Sequence, residues 1–85
     1  MDKKTKEQRA IARTLEPAMR IGKNGVTTTV VDEAINLLKK RKLIKIRLMT
    51  SKAQEKKDIA ATLTAKCGAK LVDQIGNIIV LAEDK

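Results

Sequence analysis

The sequence contains no histidine, tryptophan, tyrosine or phenylalanine. Without imidazole, no side chain has an ordinary pKa near neutrality, and neither a histidine base nor a histidine metal ligand is available. Without rings, nothing aromatic can stack on a nucleobase or a flat cofactor. The single cysteine, Cys67, excludes an internal disulfide, as expected of a chain working in a reducing cytoplasm. No histidine activates it, and it lies four residues after Leu63 and eight after Ile59 on one helical stripe. That is the position of a small buried hydrophobe rather than a nucleophile. The remaining carboxylates and lysines form no evident catalytic set, so the expectation is a protein that is not an enzyme, with no metal, no cofactor and no small-molecule substrate.

Long apolar runs are missing as well. The longest, Ile78 to Ala82, falls far short of the roughly 20 residues of a membrane span. The opening stretch Met1 to Gln8 is charged and leads into no apolar signal core. No membrane partner is expected, and the expected location is cytoplasmic. At 85 residues the chain is read as one domain, residues 1–85, because two cores would each be too small to bury enough apolar surface. A monomer is expected.

What is present in excess is positive charge. Nineteen Lys and Arg stand against ten Asp and Glu, a formal charge of +9. Residues 1–24 carry +4, residues 25–50 carry +4 and residues 51–85 carry +1, so an anionic partner would meet the first fifty residues. A well-solvated surface is the plainer explanation of any one charged run.

The periodicity predicts helix, strand, helix, strand, helix, strand, strand. Thr5 with Gln8 forms a capping-box pattern opening a first helix, which Pro17 closes. At about 100° per residue, Ile11 and Leu15 share its packed side while Lys6, Arg9 and Arg13 form a basic ridge nearly opposite. Ala18 to Ile21 suits a brief strand. Thr27, Thr28 and Thr29 are candidate N-caps for a second helix with a broad apolar face, Val30, Val31, Ala34, Ile35, Leu37 and Leu38, running to about Arg41. Lys39 to Lys42 would complement the negative end of its dipole. Leu43 to Met49 alternates with period two, placing Ile44, Ile46 and Leu48 on one face and Lys45 and Arg47 on the other. Ser51 with Gln54 offers a second capping box for a third helix, with stripe Ile59, Ala60, Leu63 and Cys67 and its end at Gly68. Lys70 to Ile75 and Ile78 to Ala82 flank Gly76-Asn77, a hairpin connection. This order implies a layered α/β (α+β) fold with a mixed sheet, the second helix and its flanking strands forming a right-handed crossover. Val30, Ile35, Ile46 and Leu63 are expected in the core.

Gly22-Lys23-Asn24-Gly25 is the candidate binding loop. Its two glycines permit positive φ and close approach of a ligand to the backbone, while the helix that follows adds unpaired N–H groups and a partial positive charge. Lys23 adds a full charge. An ordinary turn would explain the spacing alone. The basic ridge and the basic strand face favour a phosphate clamp, since they would serve the same ligand. The candidate RNA-binding set is Gly22, Lys23, Asn24, Gly25, Thr27, Lys6, Arg9, Arg13, Arg20, Lys45 and Arg47.

The chain resembles the CRM (chloroplast RNA splicing and ribosome maturation) domain and, in size, the stand-alone YhbY-like proteins. The likeness runs through Pro17, Ile21-Gly22-Lys23-Asn24-Gly25-Val26-Thr27, the long helix, Leu43-Ile44-Lys45-Ile46, Leu71-Val72-Asp73-Gln74-Ile75-Gly76 and Ile78-Ile79-Val80-Leu81. It departs from the family pattern at Lys42, where Glu is common, and at Leu81-Ala82, where an aromatic residue and a base are common. The resemblance implies an α-β-α-β-α-β-β fold with a four-stranded mixed sheet, similar to the C-terminal domain of translation initiation factor three. It also implies RNA binding through Gly22 to Gly25 and association with precursors of the large ribosomal subunit. Two alternatives stay open. One is a KH-like RNA-binding module, which shares Ile-Gly-x-x-Gly but would place its next strand earlier than Leu43. The other is a basic protein-interaction module with an acidic partner.

Overall fold

The computed structural model describes residues 3–22 and 25–83. Its elements are α1 (Lys3–Ala12), β1 (Met19–Ile21), α2 (Thr28–Arg41), β2 (Leu43–Leu48), α3 (Ala53–Cys67), β3 (Ala69–Ile75) and β4 (Ile78–Glu83). They occur in the order the periodicity predicts. The strands form one mixed sheet in the order β1-β2-β4-β3. β1 and β2 run parallel with α2 between them in sequence, while β4 pairs antiparallel with both β2 and β3.

The alternation in β2 sorts the sheet into two faces. Ile44, Ile46 and Leu48 join Met19, Ile21, Ile79 and Leu81 beneath α2 and α3, whose Ala34, Leu38, Ala60 and Leu63 complete the main core. Val30 and Cys67 pack against it half-buried. Cys67 Sγ sits 3.9 Å from the Val31 carbonyl, and burial pushes its thiol above the ordinary range. This is the packing role its stripe suggested. Ile35 is a correction: it is half-buried and outside both apolar clusters, because Ala34 and Leu38, one turn apart, take the contact line of α2.

The opposite face carries a smaller cluster, Ala12 of α1 with Val72, Val80 and Ala82. Here α1 departs from expectation in three ways. It begins at Lys3, so Thr5 lies within the helix rather than at its cap. It ends at Ala12, well before Pro17, where Leu15 N bonds the Ala12 carbonyl at 3.1 Å and the Thr14 hydroxyl and amide both reach the Ile11 carbonyl. And the helix is rotated: Ala12 is 3% exposed and Ile11 53%. The side toward the sheet is therefore the one that carries Arg9. Small Ala12 lets the helix lie close over valine and alanine, and the neighbouring guanidinium finds acceptors on β3.

α3 is also capped differently. Its N-cap is Lys52, with no side-chain cap bond, and Gln54 donates to Asp58 at 3.0 Å instead of closing a box with Ser51. The entry is held by Thr50, whose hydroxyl donates to Glu55 and accepts from Lys52 N. α2 and α3 end on left-handed residues, Lys42 and Gly68. The β3–β4 hairpin turns at Gly76, with φ +56, and Ile75 pairs with Ile78 across it.

Candidate nucleic-acid interface

β1 delivers the chain into the glycine loop. Gly25 N donates to the Gly22 carbonyl at 3.0 Å, which draws the two glycines together; Lys23 and Asn24 lie outside the described residues. Gly25 has φ +66, a conformation that a side chain disfavours. Gly22 does not share it, so only the second glycine needs the left-handed region. A Cβ at either position would meet nothing within 4 Å, leaving the backbone open to a ligand. Two residues on, Thr27 caps α2: its Oγ1 accepts from Val30 N at 3.3 Å. No acid occupies the first turn of α2, so the partial positive charge of that helix end stays unneutralised beside the loop.

Strand register places the rest of the basic set. Arg20 pairs with Arg47, Arg47 with Ile78, and Ile78 with Ile75, one row across all four strands. At strand spacing this row spans about 14 Å. It lies at the loop end of the sheet, where Met49 N bonds the Ile21 carbonyl at 2.9 Å and Leu48 N bonds the Asn77 carbonyl at 2.6 Å. Period two sends Arg20 and Arg47 to the face opposite buried Met19, Ile21, Ile46 and Leu48. Both arginines are exposed.

The first-helix ridge divides. Lys6 and Arg13 are exposed, but Arg9 docks on β3, its Nε donating to the Val72 carbonyl at 3.2 Å and lying 3.9 Å from Asp73 Oδ2. Lys45 is also tied down, its Nζ donating to the Leu15 carbonyl at 3.2 Å. These two cations hold α1 and its exit to the sheet. Sequence alone hides this, because a docked arginine and a free one occupy the same helical stripe.

On its other side the loop borders a cleft of about 520 Å³ between Gly22, Gly25 and the start of α3, with Glu55, Asp58 and Lys52 among its walls. Lys52 lies 3.9 Å from Glu55, which leaves Asp58 to make that wall acidic and a poor seat for phosphate. The row Arg20, Arg47, Ile78 and Ile75 carries no carboxylate. Among the described residues no cluster of His, Cys, Asp and Glu could hold a metal ion, and no helix is long and apolar enough to cross a membrane.

A family model described as the CRS1 / YhbY (CRM) domain matches residues 1–82. The chain is 33% identical over 76 residues to "Probable RNA-binding protein YqeI" of Bacillus subtilis, covering 89% of this chain and 79% of that one. It is 36% identical over 75 residues to "Probable RNA-binding protein MJ0652" of Methanocaldococcus jannaschii, covering 86% of this chain and 55% of the relative. The solution structure of SAV1595 from Staphylococcus aureus matches with a TM-score of 0.84 at 29% identity, covering 98% of this chain and 86% of that one.

Proposed function

Because this chain belongs to the CRS1 / YhbY (CRM) domain family, we propose that it is an RNA-binding protein that grips the phosphate backbone with the Gly22–Gly25 loop and carries it onto the Arg20–Arg47 row. The observation that carries this reading is the placement of both features at one end of the sheet. The start of α2 supplies amide donors beside the glycine turn, and two exposed guanidinium groups on adjacent strands continue the anionic track. Lys6 and Arg13 extend it along α1. On this reading the protein binds without catalysis, as a monomer of one domain working in the cytoplasm. The relatives described above carry RNA-binding names, and the resemblance drawn from the sequence motifs implies a precursor of large-subunit ribosomal RNA as the target, in ribosome assembly.

The clamp is tested by separating backbone geometry from charge. Gly25→Val introduces a Cβ that meets no neighbour but disfavours φ +66, so the fold survives while the amides lose their aim. Affinity for a structured ribosomal RNA fragment should fall roughly tenfold or more, the size expected when a charge-assisted hydrogen bond is removed. Lys23→Gln should cost less and keep most of the salt dependence. Parent-like binding by Gly25→Val would make the loop an ordinary turn. Crosslinking in cells followed by sequencing tests the target, and recovery of RNA other than large-subunit precursor overturns that part.

A further inference from the structure

Next to the basic row, a hollow of about 130 Å³ lies between α1 and the β3–β4 hairpin. We propose that it holds one unpaired RNA base, guanine in preference to uracil, and this rests on the RNA-binding reading above.

The size argues first. Pockets for drug-sized ligands begin near roughly 300 Å³, so this hollow suits a single heterocycle. Its floor is aliphatic, made by Ala12, Val80 and Ile78, with Ile75 as a wall that is 64% exposed. Its rim is cationic, with Arg9, Arg13 and Lys45. Arg47 and Arg20 follow from Ile78 in the same cross-strand row and lead to the glycine loop. Arg9 and Lys45 are docked on the Val72 and Leu15 carbonyls yet keep their positive charge beside the hollow, so a nucleotide, which supplies a flat apolar ring and a phosphate together, suits it better than a purely apolar guest. In a chain without aromatic residues, guanidinium planes and branched aliphatic surfaces are what remain to stack on a base.

Asp73 sets the preference. A β-bulge between Leu71 and Asp73 leaves Val72 unpaired and brings both Val72 and Asp73 to the α1 side, Val72 into the small core and Asp73 onto the hollow. Oδ1 of Asp73 accepts from Gln74 N at 2.9 Å, which fixes the carboxylate. Oδ2 is 3.9 Å from Arg9 Nε, too far for a hydrogen bond, and keeps its acceptor capacity. The Watson–Crick edge of guanine presents two adjacent N–H donors that match a carboxylate. Uracil presents one N–H between two carbonyl oxygens, which the carboxylate repels.

The test uses RNA stem-loops that are identical except for one bulged G, A, C or U, or no bulge, titrated by fluorescence anisotropy against the full chain. The bulged-G stem-loop should bind about tenfold tighter than the bulged-U one, the discrimination a bidentate contact supplies. It should also bind tighter than the fully paired stem. Asp73→Asn should bring the G-to-U ratio close to one. Ile75→Ser, at an exposed position that takes no part in holding α1, should reduce the preference for any bulge. Equal binding of all stem-loops by the parent overturns the base pocket while leaving RNA binding intact, and so does a parent-like ranking in both variants. Absence of binding to every stem-loop removes the RNA-binding reading and the pocket with it.

Discussion

The two faces of the sheet use the same strands for opposite purposes. The core on the α2 and α3 side holds all seven of the largest fully buried side chains, Ile21, Ile44, Ile46, Leu48, Leu63, Ile79 and Leu81. Under α1 the buried set is Ala12, Val72, Val80 and Ala82, and other positions of that face hold Arg20, Lys45, Arg47 and Asp73 beside Leu43, Ile75 and Ile78. Large branched side chains make one face a core, worth about 2 kcal/mol per buried residue. Small ones make the other a thin contact that one helix half-covers, leaving charge and aliphatic surface to water. Stability is concentrated on one side of the sheet, which frees the other for a ligand.

The largest effect should come from breaking the core face. Ile46→Ala removes a side chain that is 0% exposed between β2 and the helices, at a cost of about 2–5 kcal/mol. For a domain this small that is a large share of the total stability. Urea unfolding should show a much lower midpoint, and RNA affinity should recover under conditions that restore folding. A destabilisation under about 1 kcal/mol would mean that the two faces carry stability more evenly.

Breaking the α1 face should cost less. Ala12→Leu overfills the closest approach of α1 to β3 and β4, for about 1–3 kcal/mol. Arg9→Gln removes the donor to Val72, about 1 kcal/mol for a side chain still 37% exposed. Both variants should weaken hydrogen-exchange protection in α1 while the α2 and α3 amides keep theirs. Lys6→Gln with Arg13→Gln should leave that protection intact, since neither residue is buried. Equally weakened protection across all three helices would show that α1 is part of the main core.

The element order and the main core were legible because their signals are local and periodic. The alternation of Leu43 to Leu48 and the stripe Ile59, Ala60, Leu63, Cys67 state which side is buried. The start of α2 at Thr27 was legible from a local signal too, the run of capping threonines before its apolar face. α1 was not. Its apolar content is sparse, and its orientation depends on a β3 carbonyl and carboxylate 63 or more residues away, which no helical period encodes. Thr50 as the residue holding the entry to α3 was hidden by Ser51, an equally good capping type one position along. The row Arg20, Arg47, Ile78, Ile75 could not be read from sequence, because it requires the strand order β1-β2-β4-β3 and the register of three pairings.

The smallest effect on folding should come from the residues that matter most for the ligand. Arg20→Gln with Arg47→Gln changes two exposed side chains paired side by side on β1 and β2. Like charges so placed repel, so their removal should leave the melting temperature unchanged or slightly raised, within about 0.5 kcal/mol. RNA binding should weaken, and the slope of log affinity against log salt should flatten by about 0.7 for each phosphate of a single-stranded stretch that the variant no longer neutralises. Lys39→Gln with Lys40→Gln is the matched control. It removes the same charge from exposed positions in the last turn of α2, at the helix end away from the glycine loop. If net charge alone attracts the RNA, the two double variants will flatten the slope equally and the contrast between the faces will have no part in binding. If the arginine row is the track, the Arg20 and Arg47 pair will change the slope and the Lys39 and Lys40 pair will leave it close to that of the parent, with both proteins melting as the parent does.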